Sequence, residues 1–190
     1  MNEWKLGSKV KVNEKEAIAA ADSKTIDLTE NAWKLSFTED APKVGETFNL
    51  KGVKSWEGLS EKAKVMMGTG VYETTIKLSK DDAKKQWTID LGDVRESARV
   101  YVNNKYIGCA WAVPYILNCK DALNKGKNTI RIEVTNLPAN RIAEMDRQGV
   151  KWRKMKDINV VDINYKKTTY ENWTPVSSGL NSTVKLVEIK

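Results

Sequence analysis

Histidine is absent from this 190-residue chain, and cysteine occurs only twice. The first absence removes Ser-His-Asp and Cys-His catalysis, histidine-ligated zinc and histidine acid–base chemistry. The second leaves too few thiolates for a cysteine-only zinc site. No apolar run approaches the roughly 20 residues that cross a bilayer as a helix, so no integral membrane protein is expected. The amino terminus, MNEWKLGSKVKVNEKEA, lacks the apolar stretch of a secretory signal. The chain as given therefore reads as cytoplasmic or as a piece of a longer exported protein, whose parent would be periplasmic or extracellular. Acidic residues number 25, yet no two stand in a recognisable glycosidase context of carboxylates roughly 5 to 10 Å apart. Asp90 and Asp93, which bracket Leu91-Gly92, read as turn residues.

What is present describes sheet. Hydrophobic residues make up 41% and charged residues 30%, enough for one all-β domain with its own core. In Thr129 to Thr135, Ile130, Ile132 and Val134 alternate with polar neighbours, the period of a half-buried strand. Ala98, Val100 and Val102 alternate in the same way before Asn103-Asn104, a pair that tolerates positive φ and closes a hairpin. Further strands are expected at Trp33 to Phe37, Tyr72 to Leu78, Trp87 to Leu91 and Thr183 to Ile189, the last at a sheet edge or beside the Trp33 strand. Trp33 and Trp87 fall at buried positions of that alternation, whereas Trp56, Trp111, Trp152 and Trp173 fall in loops or at strand ends. Gly68-Thr69-Gly70 allows a close approach of backbone, and Pro114 makes the apolar run around it an edge or a loop crossing. Residues 1–30 read as an extended lead-in with one short helix at Glu14 to Ala21, and residues 31–190 as the sandwich. Periodicity weakens after Pro138 apart from Ile158 to Tyr165, and a long excursion of that kind is often functional.

Cys109 and Cys119 flank AWAVPYILN and read as two small buried side chains. A disulfide between them would require an oxidising compartment. The formal charge of +7 favours acidic partners, although the lysines are spread throughout and describe a solvated basic surface.

Regular short strands with Gly and Asn turns argue for a β-sandwich, and the wording of four segments goes further. GTGVYETTIKL, WTIDLGDVRESARVYVNNKYIGCAW, PYILNCKDALNKGKNTIRIEVTN and NWTPVSSGLNSTVKLV resemble the sugar-binding jelly-roll domain of glycoside hydrolase family two and its relatives. They look closest to accessory domains attached to bacterial α-L-rhamnosidase-like and other pectin-degrading enzymes. The resemblance implies an all-β, galactose-binding-domain-like jelly-roll β-sandwich. It implies a non-catalytic carbohydrate-binding or accessory role beside a neighbouring catalytic domain.

Sugar recognition pairs an aromatic face with polar groups that hold hydroxyls. Two surfaces qualify: Trp111 and Tyr115 on the run around Pro114, and Asn140, Arg141, Trp152 and Arg153 in the long excursion. Arginine forks suit a carboxylate, so an acidic sugar such as galacturonate fits the second set. The blander alternative is that these charges tie a long loop to the sandwich. Basic residues interleaved with aromatics also fit single-stranded nucleic acid, but no RNP, KH or helix-turn-helix pattern accompanies them, so neither nucleic acid nor membrane is expected as a partner. A protein-interaction or purely structural sandwich, and a small hydrolase or lyase with a Lys or Arg base, are the remaining alternatives. No catalytic residue, protein metal ligand or cofactor is assigned, and a structural calcium is left open.

Overall fold

A computed structural model describes residues 23–153, 164 and 168–190. The expected helix at Glu14 to Ala21 lies outside the described residues, as do Val161 and Ile163. In chain order the strands are β1 (Thr25–Asp27), β2 (Ala32–Ala41), β3 (Phe48–Lys51), β4 (Met67–Leu78), β5 (Gln86–Asp90) and β6 (Val94–Arg95). They continue with β7 (Ser97–Val102), β8 (Lys105–Ala110), β9 (Ile116–Asn118), β10 (Gly126–Thr135), β11 (Gly179–Leu180) and β12 (Lys185–Ile189). Helix α1 (Glu61–Val65) precedes β4, and α2 (Ala139–Arg147) follows β10.

An antiparallel six-stranded sheet runs β3-β2-β4-β10-β7-β8, a four-stranded one β1-β12-β5-β9, and β11-β6 form a two-stranded piece. The inward residues read from the alternation are buried: Trp33, Leu35, Tyr72, Ile130, Ile132 and Val134 from the large sheet, Trp87, Ile89 and Leu186 from the smaller. They form one cluster between the sheets, the arrangement of a jelly-roll sandwich. Each such aliphatic side chain contributes about 1.5–3 kcal/mol by leaving water. Two of the buried indoles donate their N–H groups to carbonyls, Trp33 to that of Leu28 at 3.0 Å and Trp87 to that of Asp82 at 2.9 Å. At the β7–β8 turn Asn103 and Asn104 take φ of 51° and 64°, as a two-residue hairpin loop demands.

Several expectations change. Trp56 is fully buried rather than in an exposed loop, because a short 3-10 turn at Trp56–Gly58 folds the ring under β4. Gly70 makes room for it: a Cβ there would stand 2.5 Å from the Trp56 ring. Thr25–Asp27, within the expected lead-in, pairs with β12. Strand β12 is not an edge and does not join the Trp33 strand; it lies inside the smaller sheet with Leu186 opposite both Ile26 and Ile89. Cys109 is exposed, since on β8 it faces outward opposite Arg99, whereas Cys119 is buried and both are free. Burial pushes the Cys119 thiol up to about 12. Helix α2 adds an element that the alternation of the strands does not announce; it starts after Pro138 without a side-chain cap and buries only Asn140 and Ala143.

The Tyr72 hydroxyl joins three parts of the chain. It accepts from the Trp56 indole at 2.7 Å and from the Leu180 backbone N–H at 3.2 Å, and it donates to the Lys54 carbonyl at 3.1 Å. Burial raises the phenol well above its usual range, so it stays neutral. Gly179, at φ +94°, passes so close that a Cβ would collide with both the hydroxyl and the indole. Beside this junction Glu57 hydrogen-bonds Ser55 while its Oε1 is buried with no partner among the described residues. Burial is the main cause that raises its carboxyl above the ordinary glutamate range, with hydrogen bonds from the backbone and Ser178 opposing.

Two outcomes are expected. Tyr72→Phe strands the Trp56 and Leu180 donors and should lower the unfolding free energy by about 1–3 kcal/mol in urea titration. An unchanged urea midpoint would deny the hydroxyl its role. Because the folded value of Glu57 is raised, its stabilising contribution is complete below the unfolded value of about 4.3 and is lost as pH climbs through the folded value. Wild type should therefore lose stability relative to Glu57→Gln over that rise, and parallel pH profiles would contradict the assignment.

Candidate functional site

Helix α2 leaves the end of β10 and carries residues that face in different directions. Asn140 faces in. Its amide donates to the Val176 carbonyl and accepts from the Val176 N–H, both at 2.8 Å, and the residue is buried. Both polar atoms are thus spent within the chain, so this position, expected at a sugar, clamps the 176 segment onto the helix.

Arg141, one residue on, is half-buried and lines a hollow of about 720 Å³ between α1, α2 and Pro175. Four cationic side chains, Lys62, Lys64, Arg141 and Arg147, face two carboxylates there, Glu61 and Glu144. Arg147 is committed to Glu144 at 2.8 Å and to the Glu171 and Trp173 carbonyls at 2.9 and 3.1 Å. Lys64 stands 3.8 Å from Glu61. Arg141 and Lys62 have no ion-pair partner among the described residues. The hollow therefore carries unneutralised positive charge, held on two short helices.

Next to it Trp152, Tyr170 and Trp173 pack in sequence as tilted rings, with centroids 6.3 and 4.6 Å apart. Asp146 organises the group, accepting from the Trp152 indole at 2.7 Å and from the Tyr170 N–H at 2.8 Å. Arg153 lies over Trp152 and Tyr170 at 5.1 and 5.3 Å and donates to the Thr168 carbonyl at 2.5 Å. Arg153 and Trp152 are thus largely occupied in binding the loop to itself. Trp173, 52% exposed at the open end, offers its ring to solvent. Since Arg147 both lines the hollow and holds the Trp173 carbonyl, the two features adjoin.

Trp111 and Tyr115 belong to the turn between β8 and β9. Trp111 is 76% exposed, while Tyr115 packs on the core and its carbonyl accepts from the Leu91 N–H at 3.0 Å. Ala98 pairs with both Ala110 and Val134, so the Trp111 turn and the start of α2 emerge at the same end of the large sheet, two strand spacings or about 10 Å apart. The six candidate residues therefore divide into two groups on one rim of the sandwich.

Sequence reasoning left Lys62, Lys64, Tyr170 and Trp173 out of the candidate set. Trp173 was visible as a loop tryptophan, but the two lysines reach the hollow only through the placement of α1. Ser60 caps that helix, accepting from the Ala63 N–H at 3.2 Å. Asp90 and Asp93 behave as turn residues: Asp90 accepts from the Gly92 N–H at 2.9 Å and Asp93 holds Arg95 through both oxygens. Among the described residues no three Cys, Asp or Glu side chains converge as metal ligands.

Comparison with known proteins places this geometry. A putative beta-glucuronidase of Formosa agariphila is 28% identical over 173 residues, covering 81% of this chain and 15% of that protein. A rhamnosidase from Novosphingobium sp. PP1Y has the same fold, with a TM-score of 0.70 at 24% identity over 88% of this chain and 15% of its own. So does the beta-glucuronidase of Ruminococcus gnavus solved with D-glucuronic acid, with a TM-score of 0.59 at 18% identity over 88% of this chain and 30% of its own. The chain thus spans about 15% of the length of the curated relative it matches. The model of the glycosyl hydrolase 2 galactose-binding domain-like family matches residues 58–178, from α1 through strands β4 to β10 to the segment that Asn140 clamps, and the chain belongs to that family.

Proposed function

We propose that this chain is a non-catalytic accessory domain of a bacterial glycoside hydrolase and that its α1–α2 hollow engages an acidic sugar of a plant, pectic-type polysaccharide. The observation that carries the reading is Arg141, a guanidinium with no ion-pair partner among the described residues, in a hollow where cations outnumber carboxylates, beside the exposed ring of Trp173. A guanidinium fork matches a carboxylate through two parallel hydrogen bonds, and an indole face accepts the C–H surface of a pyranose. Relatives described as beta-glucuronidases, one solved with D-glucuronic acid, support a uronic acid as the class. The small share of those enzymes that this chain spans supports an accessory role, with chemistry supplied elsewhere in a longer polypeptide.

A second reading, a buttress for a neighbouring catalytic domain, is favoured by a different observation. Trp111 and Val113 are 76% and 81% exposed on one turn, and Leu137 is 51% exposed at the same sheet end. Apolar side chains gathered so openly suit burial by an adjoining domain.

Isothermal titration of the chain with oligogalacturonate and rhamnogalacturonan fragments tests the glycan reading. Binding at millimolar or tighter affinity is expected, weakening with added salt. Arg141→Ala should weaken it about tenfold, equivalent to about 1.4 kcal/mol, and Trp173→Ala should weaken it too. No heat with any fragment at millimolar concentration would remove the glycan reading and leave the buttress.

A further inference from the structure

The outward face of the six-stranded sheet carries a row of side chains that lies apart from the α1–α2 hollow. Register places them side by side on successive strands. Lys34 of β2 pairs with Glu73 of β4, Glu73 with Arg131 of β10, Arg131 with Tyr101 of β7, and Tyr101 with Tyr106 of β8. Five strands at about 4.8 Å spacing give a row about 19 Å long, perpendicular to the strands.

Solvent-facing sheet surfaces are ordinarily polar, and polarity alone would mean nothing. Three observations set this row apart. Its aromatic end is ordered: Tyr101 and Tyr106 lie 5.4 Å apart, Arg131 sits 4.0 Å over the Tyr101 ring, and Tyr106 is still 53% exposed. Its cationic middle is fixed, with Glu133 gripped by Arg131 at 3.0 Å and Arg99 at 3.2 Å. The Arg131 Nε is nevertheless buried without a partner, so the guanidinium is oriented by ring and carboxylate at the expense of its own hydrogen bonding. Its other end is open: Lys34 and the half-buried Glu73 line a hollow of about 490 Å³ with Asn49, Thr75 and Thr129. The side chains of Lys34 and Glu73 have no hydrogen-bond or ion-pair partner among the described residues.

Resting on the reading of the chain as a glycan-binding accessory domain, the geometry points to a second binding track along this row for a neutral, linear oligosaccharide of several residues. A tilted pair of tyrosine rings at one end, with Tyr106 exposed, offers a face for a pyranose. Donors and acceptors alternate along the rest, from Lys34 through Glu73 to Arg131, and a hydroxyl is the group that both donates and accepts. Because the charges alternate in sign, the row does not select an anion, unlike the α1–α2 hollow. Its length selects a chain over a single sugar.

The test is amide-resolved NMR titration of the full 190-residue chain with β-1,4-linked hexasaccharides of glucose, xylose and mannose, each beside its disaccharide. At least one hexasaccharide should shift residues of β4, β10, β7 and β8 and bind at least tenfold more tightly than its disaccharide. Tyr106→Ala and the near-isosteric Glu73→Gln should each weaken that binding about fivefold or more, while Arg141→Ala leaves it unchanged. Absence of binding by all three, shifts confined to other surfaces, or indifference to both variants would overturn the proposal. Shifts of these strands that follow protein concentration without glycan would assign the face to a second copy and overturn it as well. Galacturonate binding that Arg141→Ala weakens about tenfold would persist in any of those cases, so the failure of this track leaves the first reading standing.

Discussion

The hydrogen bonds of one buried phenol hold together what the sheets alone would leave apart. Tyr72 lies at the middle of the long strand β4, and its hydroxyl meets Trp56, Lys54 and Leu180, residues from the loop before α1 and from the returning chain. Trp56 in turn stands edge-on to Phe37, and Tyr72 edge-on to Trp33, so the polar junction is walled by aromatic rings. A hydroxyl shut away from water is costly unless it is paired, and this one makes three hydrogen bonds. Glycine at 70 and 179 permits the close approach. The helices that shape the basic hollow depend on this junction, because α1 and the segment around Pro175 are both fixed within a few residues of it.

The sandwich was legible from residue order because its chemistry is periodic. Trp33, Leu35, Ile130, Ile132 and Val134 alternate without interruption, and Asn103-Asn104 fits the one turn that needs two left-handed residues. Trp56 was misjudged because no periodicity marks a side chain that enters the core from a loop; only Gly70, read as permitting close approach, hinted at the ring that fills its space. Strand β12 could be foreseen but not placed, since its alternation fits either sheet and long-range pairing decides between them.

The site was legible only as composition. Arg141 and Trp152 could be picked out as a guanidinium and an indole in a long excursion, yet whether each faces solvent or its own loop is a tertiary fact. The structure divides them: Arg141 opens into a hollow, whereas Trp152 is spent on Asp146 and Tyr170. Asn140 shows the same limit, because an amide that clamps backbone at Val176 looks in sequence like one that reads hydroxyls.

That clamp joins positions 36 residues apart, and Arg147 ties the same span again at Glu171 and Trp173. Both ends of the intervening connection are thereby fastened to one short helix. Doubling the length of such a segment adds only about 0.6 kcal/mol of closure entropy. By closure entropy alone, a longer connection between the two fastenings would cost the fold little. New specificities could arise there by insertion, while the tyrosine junction and the alternating strands stay as they are.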